Sequence, residues 1–205
     1  MRKIEKFSVD NYKFCIYRII DKDIIHIDNK YIDGAKTYNR PNAPRYDEGE
    51  QYRTSMYKAI SIWAHKNGIV CAAGPVLSGA LISYGISISS FGKIKHSFLP
   101  KPDNAYNTLK HDSYVEINSE EKTLLVDDVI SSGEALFHSI SFLELHLCNI
   151  AAILCFRLYS NKFIINRIMK NNNYKDKLFG IAYRRLRWEV YILMKVIYGH
   201  TKSAG

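Results

Sequence analysis

Ten residues constrain this fold more than any others: Leu124-Leu125-Val126-Asp127-Asp128-Val129-Ile130-Ser131-Ser132-Gly133. The apolar run from Leu124 reads as a buried strand, and a buried strand does not accept adjacent carboxylates without a use for them. The economical reading is a strand that ends at Asp127, then a loop, then a helix that starts near Gly133. In an open α/β sheet that end of the strand is where ligands bind. The N–H groups of Ser132, Gly133 and Glu134 would face an anion from the start of the helix, where the helix dipole also favours negative charge. Carboxylates for hydroxyls and N–H groups for a phosphate together suit a sugar phosphate.

The rest of the chain repeats the same alternation. Residues 11–33 read as one or two strands, and the Pro-containing stretch 39–44 as a loop. A helix runs from a cap at Asp47 to about Lys66, with Tyr52, Met56, Ala59, Ile60 and Trp63 as its buried stripe and Gly68 as its stop. Ile69 to Ala73 reads as a strand, and Ile86 to Phe91 as the next. Residues 92–122 are polar and longer than an ordinary connection. Residues 133–147 then read as a helix, Ile150 to Phe156 as a strand, and 161–170 and 181–198 as helices. Strands alternating with helices predict a mainly parallel sheet with helices on its faces.

A second segment with chemistry is Ala73-Gly74-Pro75-Val76-Leu77-Ser78-Gly79. Small residues after a strand let the backbone approach a ligand and offer its N–H groups to an anion. A plain strand–turn–helix accounts for the same residues. The position one βαβ unit before the Asp pair favours the ligand reading.

Composition sets the class. A chain of 205 residues with 47% hydrophobic and 13% aromatic content is globular and long enough for a sizeable core. No run approaches the ~18 apolar residues of a membrane span, and no apolar signal core follows the basic Met1–Lys6 stretch. Cys15, Cys71, Cys148 and Cys155 have no metal-type spacing and read as reduced thiols in a cytoplasm. The net charge is +9, and residues 161–205 supply +8 of it, with ten Lys or Arg against Asp176 and Glu189. That surplus has two readings: a solvated helix face, which the interleaved apolar residues favour, or a nucleic-acid surface around Arg184, Arg185, Arg187 and Trp188.

Val126 to Gly133 (VDDVISSG) resembles the phosphoribosyl-pyrophosphate (PRPP) signature of the type I phosphoribosyltransferases. The resemblance implies that Asp127 and Asp128 reach the ribose 2′- and 3′-hydroxyls. It also implies that Val129, Ile130, Ser131, Ser132, Gly133, Glu134 and Ala135 surround the 5-phosphate. Ala135 departs from the Thr or Ser common in that family. Ala73 to Gly79 is similar to the family's pyrophosphate loop, most like the Gly-Pro-x-x-x-Gly form of orotate phosphoribosyltransferases, with Ser78 in place of a frequent glycine.

The same resemblance carries further expectations. Phe98-Leu99-Pro100-Lys101 is similar to the start of the orotate enzymes' mobile loop, with Pro100 where an arginine is usual. Lys101 would then hold pyrophosphate, in a loop that also carries Lys93, Lys95, His96, Lys110 and His111. Arg157, with Ser131, would face the base, although Phe156 and Leu158-Tyr159 depart from the residues that usually flank that arginine. The implied fold is a parallel sheet flanked by helices, with a hood from residues 1–45, a PRPP-binding core over 46–160 and a basic C-terminal helical region over 161–205. The implied reaction joins PRPP and a nucleobase, orotate-like by preference. Mg²⁺ would be held by ligand oxygens, waters and at most one of Asp127 and Asp128. The family commonly forms homodimers, and the apolar C-terminal residues around Trp188 suit either such an interface or packing on their own domain. Two other classes stay open: a PRPP-binding regulator that contacts nucleic acid, and a homologue that has lost catalysis.

Overall fold

The structure is a computed structural model that describes residues 4–18, 46–100, 118–130, 132–158, 167–168, 170–171 and 173–185. For residues 4, 17, 46–48, 129, 157–158 and 182–185 it describes the backbone alone. Within these residues the strands are β1 (Ile4–Val9), β2 (Tyr12–Arg18), β3 (Cys71–Pro75), β4 (Lys95–Leu99), β5 (Lys122–Ile130), β6 (Asn149–Leu158) and β7 (Leu178–Arg185). The helices are α1 (Tyr46–Lys66), α2 (Ser78–Ser89) and α3 (Glu134–Leu145). The strands form one sheet in the order β1-β2-β7-β6-β5-β3-β4. From β7 to β4 every pairing is parallel, while β1–β2 and β2–β7 are antiparallel. The mainly parallel, helix-flanked sheet expected from the alternating pattern is therefore present.

Two cores lie on the two faces of the sheet. On one, Ile82 and Ile86 of α2 and Met56, Ile60 and Trp63 of α1 pack with Leu124, Val126, Ala152 and Leu154. On the other, Leu136, Ile140 and Leu143 of α3 pack with Leu125, Ile153 and Cys155. Alternate residues of β5 thus serve opposite cores, as the pleat requires. In β6 a register shift opposite Thr123/Leu124 interrupts the alternation, so Ile150 and Ile153 share the α3 face.

α1 begins at Tyr46, so Asp47 lies inside the helix rather than capping it, and the helix ends before Gly68, which takes φ 70° as the sequence pattern predicts. It binds the N-terminal hairpin to the sheet. Ser55 donates a hydrogen bond to Asp10, which holds that carboxyl below the ordinary carboxylate range. Lys66 pairs with Glu5 at 2.8 Å, and Trp63 meets Phe179 of β7 edge to face at 5.0 Å.

Four expectations need correction. Ile86 to Phe91 is not a strand but the end of α2. Its Ile-Ser-Ile-Ser alternation imitates a strand, yet Ile82 and Ile86, one turn apart, are buried while Ile88 is exposed. The next strand is β4, so the long connection starts only after Leu99. The helix expected over 181–198 is replaced over 181–185 by β7, which β2 flanks antiparallel and β6 parallel. Finally, β5 does not stop at Asp127. It runs to Ile130 because β6 continues to pair with it as far as Leu158. Of the segment read as a hood, residues 4–18 belong to the sheet, and residues 19–45 lie outside the described residues.

Removal of a buried aromatic side chain costs ~3–5 kcal/mol. Trp63→Ala should lower the unfolding free energy in urea by about that amount. A loss below ~1 kcal/mol would contradict the packing of α1 across the sheet.

Candidate functional site

The chain leaves β3 through α2 toward β4, and leaves β5 through α3 toward β6, so β3 and β5 are neighbours whose connections diverge. A crevice forms at the C-terminal ends of such a strand pair, and ligands of open α/β sheets bind there. The two segments singled out in the sequence meet at this point. Gly74 to Gly79 covers the end of β3 and the start of α2, and Asp127 to Ala135 covers the end of β5 and the start of α3.

Glycine makes the meeting possible. A Cβ at Gly79 would lie 2.7 Å from the Val126 carbonyl oxygen and 2.5 Å from Pro75 Cδ. A Cβ at Gly74 would lie 2.3 Å from the backbone of Gly79. No side chain fits at either position, so the first turn of α2 rests directly on the strand that carries the carboxylates. The Val76 N–H donates to the Leu99 carbonyl at 3.1 Å, which ties the loop to β4 as well. Sequence reading missed these backbone contacts, although the Gly-Pro-x-x-x-Gly spacing was their signal. The Val76–Leu77 peptide is cis.

Both helices that start here lack a side-chain N-cap. The first N–H groups of a helix have no partner within the helix, and with the dipole they favour an anion. Gly133, the residue before α3, takes φ 77°, where a side chain would be strained. Glu134 N–H donates to Ser132 Oγ at 3.3 Å, and α3 closes its first turn with Phe137 N–H on the Gly133 carbonyl at 2.8 Å.

The continuation of β5 through the Asp pair gives the two carboxylates different environments. Asp127 pairs in register with Cys155 on the α3 face and is only 9% exposed. Its Oδ1 accepts the Asp128 N–H at 2.9 Å. Asp128, the next residue along the strand, is half-buried. The Cys155 thiol is pushed up to about 12, first by burial and then by the Asp127 carboxylate. Burial, then Glu121, does the same to Cys71.

The remaining candidates divide. Ala73, Gly74, Pro75 and Gly79 are buried, whereas Leu77 and Ser78 are exposed. Lys95 and His96 belong to β4 rather than to a loop; Lys95 pairs with Glu121 at 2.7 Å, and His96 packs between Tyr84 and Phe98. The backbones of Val129 and Arg157 are paired at the C-terminal ends of β5 and β6. The Arg157 side chain, Lys101, Lys110, His111 and Ser131 lie outside the described residues.

No protein-family model and no curated protein matches the sequence. Among solved structures, the chain is similar to adenine phosphoribosyltransferase from Saccharomyces cerevisiae complexed with adenine and an imino-altritol bisphosphate. There the identity is 12%, with 70% of this chain and 80% of that chain covered, and the TM-score is 0.48. For adenine phosphoribosyltransferase from Thermoanaerobacter pseudethanolicus the values are 13%, 66%, 81% and 0.48. For a hypoxanthine phosphoribosyltransferase from Staphylococcus aureus they are 15%, 55%, 66% and 0.43. At such identities and scores the likeness assigns no ligand or reaction to this chain.

Two outcomes follow from the site's packing. Gly79→Ala should cost ~1–3 kcal/mol through overpacking against fixed backbone. Gly49→Ala, in α1 with open space around it, should instead gain up to ~1 kcal/mol. Equal effects in chemical denaturation would rule out the close contact. The second outcome concerns alkaline pH. The folded chain keeps protons on Cys71 and Cys155 up to about 12, and the unfolded chain releases them near the ordinary value of 9.0. Stability is therefore unaffected by these thiols below that value. It should fall as pH rises toward 12 by up to ~1.4 kcal/mol per pH unit for each thiol. Urea titrations between these limits should show a shallower decline for Cys155→Ala than for the natural chain, and an unchanged slope would refute the assignment.

Proposed function

We propose that this chain is a type I phosphoribosyltransferase, which transfers the phosphoribosyl group of PRPP to a nucleobase and releases pyrophosphate. One observation carries the proposal. A small-residue loop and a strand-borne carboxylate pair meet through direct backbone contact at the divergence of β3 and β5. An anion nest beside two carboxylates suits a sugar that bears phosphates at two ends.

Each residue then has a chemical task. Asp128 accepts hydrogen bonds from the ribose hydroxyls, and Asp127 holds Asp128 through its N–H while lending negative charge from below. Ser131 to Ala135, at the N-terminus of α3, cradles the 5-phosphate. Ala73 to Gly79 binds the pyrophosphate, with Lys101 as a counter-charge. At ribose C1 the bond to the pyrophosphate oxygen breaks as a base nitrogen forms its bond, and that nitrogen loses its proton. Positive charge grows on the ribose and negative charge on the leaving group, so catalysis is mainly positioning and electrostatic stabilisation.

Among the described residues no three His, Cys, Asp or Glu side chains gather into a metal cage. Mg²⁺ would be held mainly by ligand oxygens and waters, with Asp127 or Asp128 contributing at most through water. When bound, the ion neutralises charge on the departing pyrophosphate. The Gly-Pro-x-x-x-Gly spacing and the place of Arg157 at the end of β6 support an orotate-like pyrimidine as acceptor, since a guanidinium pairs well with a planar carboxylate or imide.

Asp128→Asn should weaken PRPP binding by roughly 10- to 100-fold, the equivalent of about 1.5–3 kcal/mol for a charge-assisted contact, and leave Tm nearly unchanged. The decisive assay is pyrophosphate release from PRPP and Mg²⁺ with orotate, uracil, adenine, hypoxanthine, guanine, xanthine or nicotinate. Release with one base supports the reaction and names the acceptor. PRPP binding without release on any base would favour a regulator or a lapsed enzyme, and no thermal shift with PRPP would remove the site itself.

A further inference from the structure

α2 carries no charged side chain from Ser78 to Ser89, and it is apolar on two faces. The inner face enters the core through Ile82 and Ile86, and Gly85 abuts the Tyr57 ring of α1. The outer face is a row at helical spacing, Leu77, Leu81, Tyr84 and Ile88, which Phe91 closes. Tyr84 meets His96 at 5.2 Å, and His96 meets Phe98 at 5.2 Å, which extends the row onto β4 at the end of the sheet. Exposure reaches 93% at Phe91, whose φ of 55° is costly for a bulky side chain at a place where glycine is usual. Together the six apolar side chains expose on the order of 600–700 Å², more than the largest apolar patch of an ordinary monomer.

We propose that this α2–β4 face docks on the surface of an anionic lipid bilayer. Charge selects the occupant. Between Glu50 and Asp103 the chain contains no Asp or Glu but six basic residues: Arg53, Lys58, Lys66, Lys93, Lys95 and Lys101. Three of them meet carboxylates that other elements bring, Lys58 at Asp10, Lys66 at Glu5 and Lys95 at Glu121. Arg53 and Lys93 are exposed and border the row. Arg53 lies one turn before Tyr57, the residue against Gly85, and Lys93 lies two residues after Phe91. An apolar strip bordered by cations and built from a carboxylate-free stretch is what an interfacial helix needs. Its apolar side chains sink among acyl chains while Lys and Arg meet anionic headgroups. A nucleic acid would meet the cations but not the aliphatic strip, and a second copy would set like charges against each other. No described helix is long and apolar enough to cross a membrane, so the contact lies on the bilayer and not through it. With α2 flat on the surface, the crevice beyond its N-terminus opens along the membrane. The docking face is independent of the ligand assignment and survives if that assignment fails.

Flotation with phosphatidylcholine vesicles, with and without phosphatidylserine, tests this directly. The natural chain should float with the phosphatidylserine vesicles and stay behind with phosphatidylcholine alone. Ile88→Ser and Phe91→Ser leave the charge unchanged, and each should lower the bound fraction at limiting lipid by at least ~10-fold. Leu145→Ser, which alters an equally exposed leucine on α3, should float as the natural chain does. Phe91→Trp should add a blue-shifted emission on phosphatidylserine vesicles. A natural chain that does not float overturns the proposal, as occurs if a second copy, another protein or the chain's own residues 101–117 cover the face. So does a chain that floats equally well with Ile88→Ser and Phe91→Ser, or one that binds an RNA homopolymer through these residues in place of vesicles. If the serine variants misfold by circular dichroism, an unshifted Phe91→Trp emission has the same force.

Discussion

Everything at the candidate site depends on two backbones touching without a side chain between them. Gly79 rests on the carbonyl of Val126, and Gly74 rests on Gly79. A close-packed interior transmits such a contact with little give. The loop after β3 and the carboxylates on β5 are therefore one rigid unit, although some fifty residues of chain separate them. β4 is drawn in as well, through the Val76 N–H on the Leu99 carbonyl. The position of the small-residue loop relative to two carboxylates is fixed by main chain rather than by side-chain rotamers. Such a scaffold suits catalysis by positioning, in which sub-ångström placement decides the rate.

The parts legible in the sequence were those written in period and small residues. The buried stripe of α1, from Met56 to Trp63, repeats at helical spacing. The apolar runs that became β5 and β6 lead to polar residues at the C-terminal ends of those strands. Both glycine-bearing segments were found because glycine and paired carboxylates are costly anywhere except at a site. What stayed hidden was decided by tertiary pairing. Ile86-Ser87-Ile88-Ser89 alternates as a strand does, and only the neighbouring sheet and α1 determine that Ile86 is buried while Ile88 is not. Residues 178–185 contain basic and aromatic side chains that suit a helix equally well, and their strand form exists because β2 and β6 flank them. Local preference gives way where two ready hydrogen-bonding edges are on offer.

The two carboxylates illustrate the same limit on a smaller scale. The sequence presents them as an equivalent pair. The extension of β5 to Ile130 makes them successive residues of one strand, of which one is buried beside a thiol and the other half-buried. Their chemistry differs because their burial differs. Burial raises the Cys155 thiol and the Asp127 carboxylate adds to the effect, which marks that side of the strand as a place of low dielectric.

β7 has a consequence for how the molecule is made. Tyr12 is matched with Arg185 and Arg18 with Phe179, so β2 waits for β7, the last strand among the described residues. Until the ribosome has released residue 185, the N-terminal hairpin has no third strand, and β6 presents a bare edge where β7 will lie. Contacts of such sequence separation slow folding, because a long loop must close before they form. During synthesis the growing chain thus holds two unsatisfied edges that match each other but cannot yet be joined. A fold of this kind is most exposed to wrong pairing in the interval before β7 arrives.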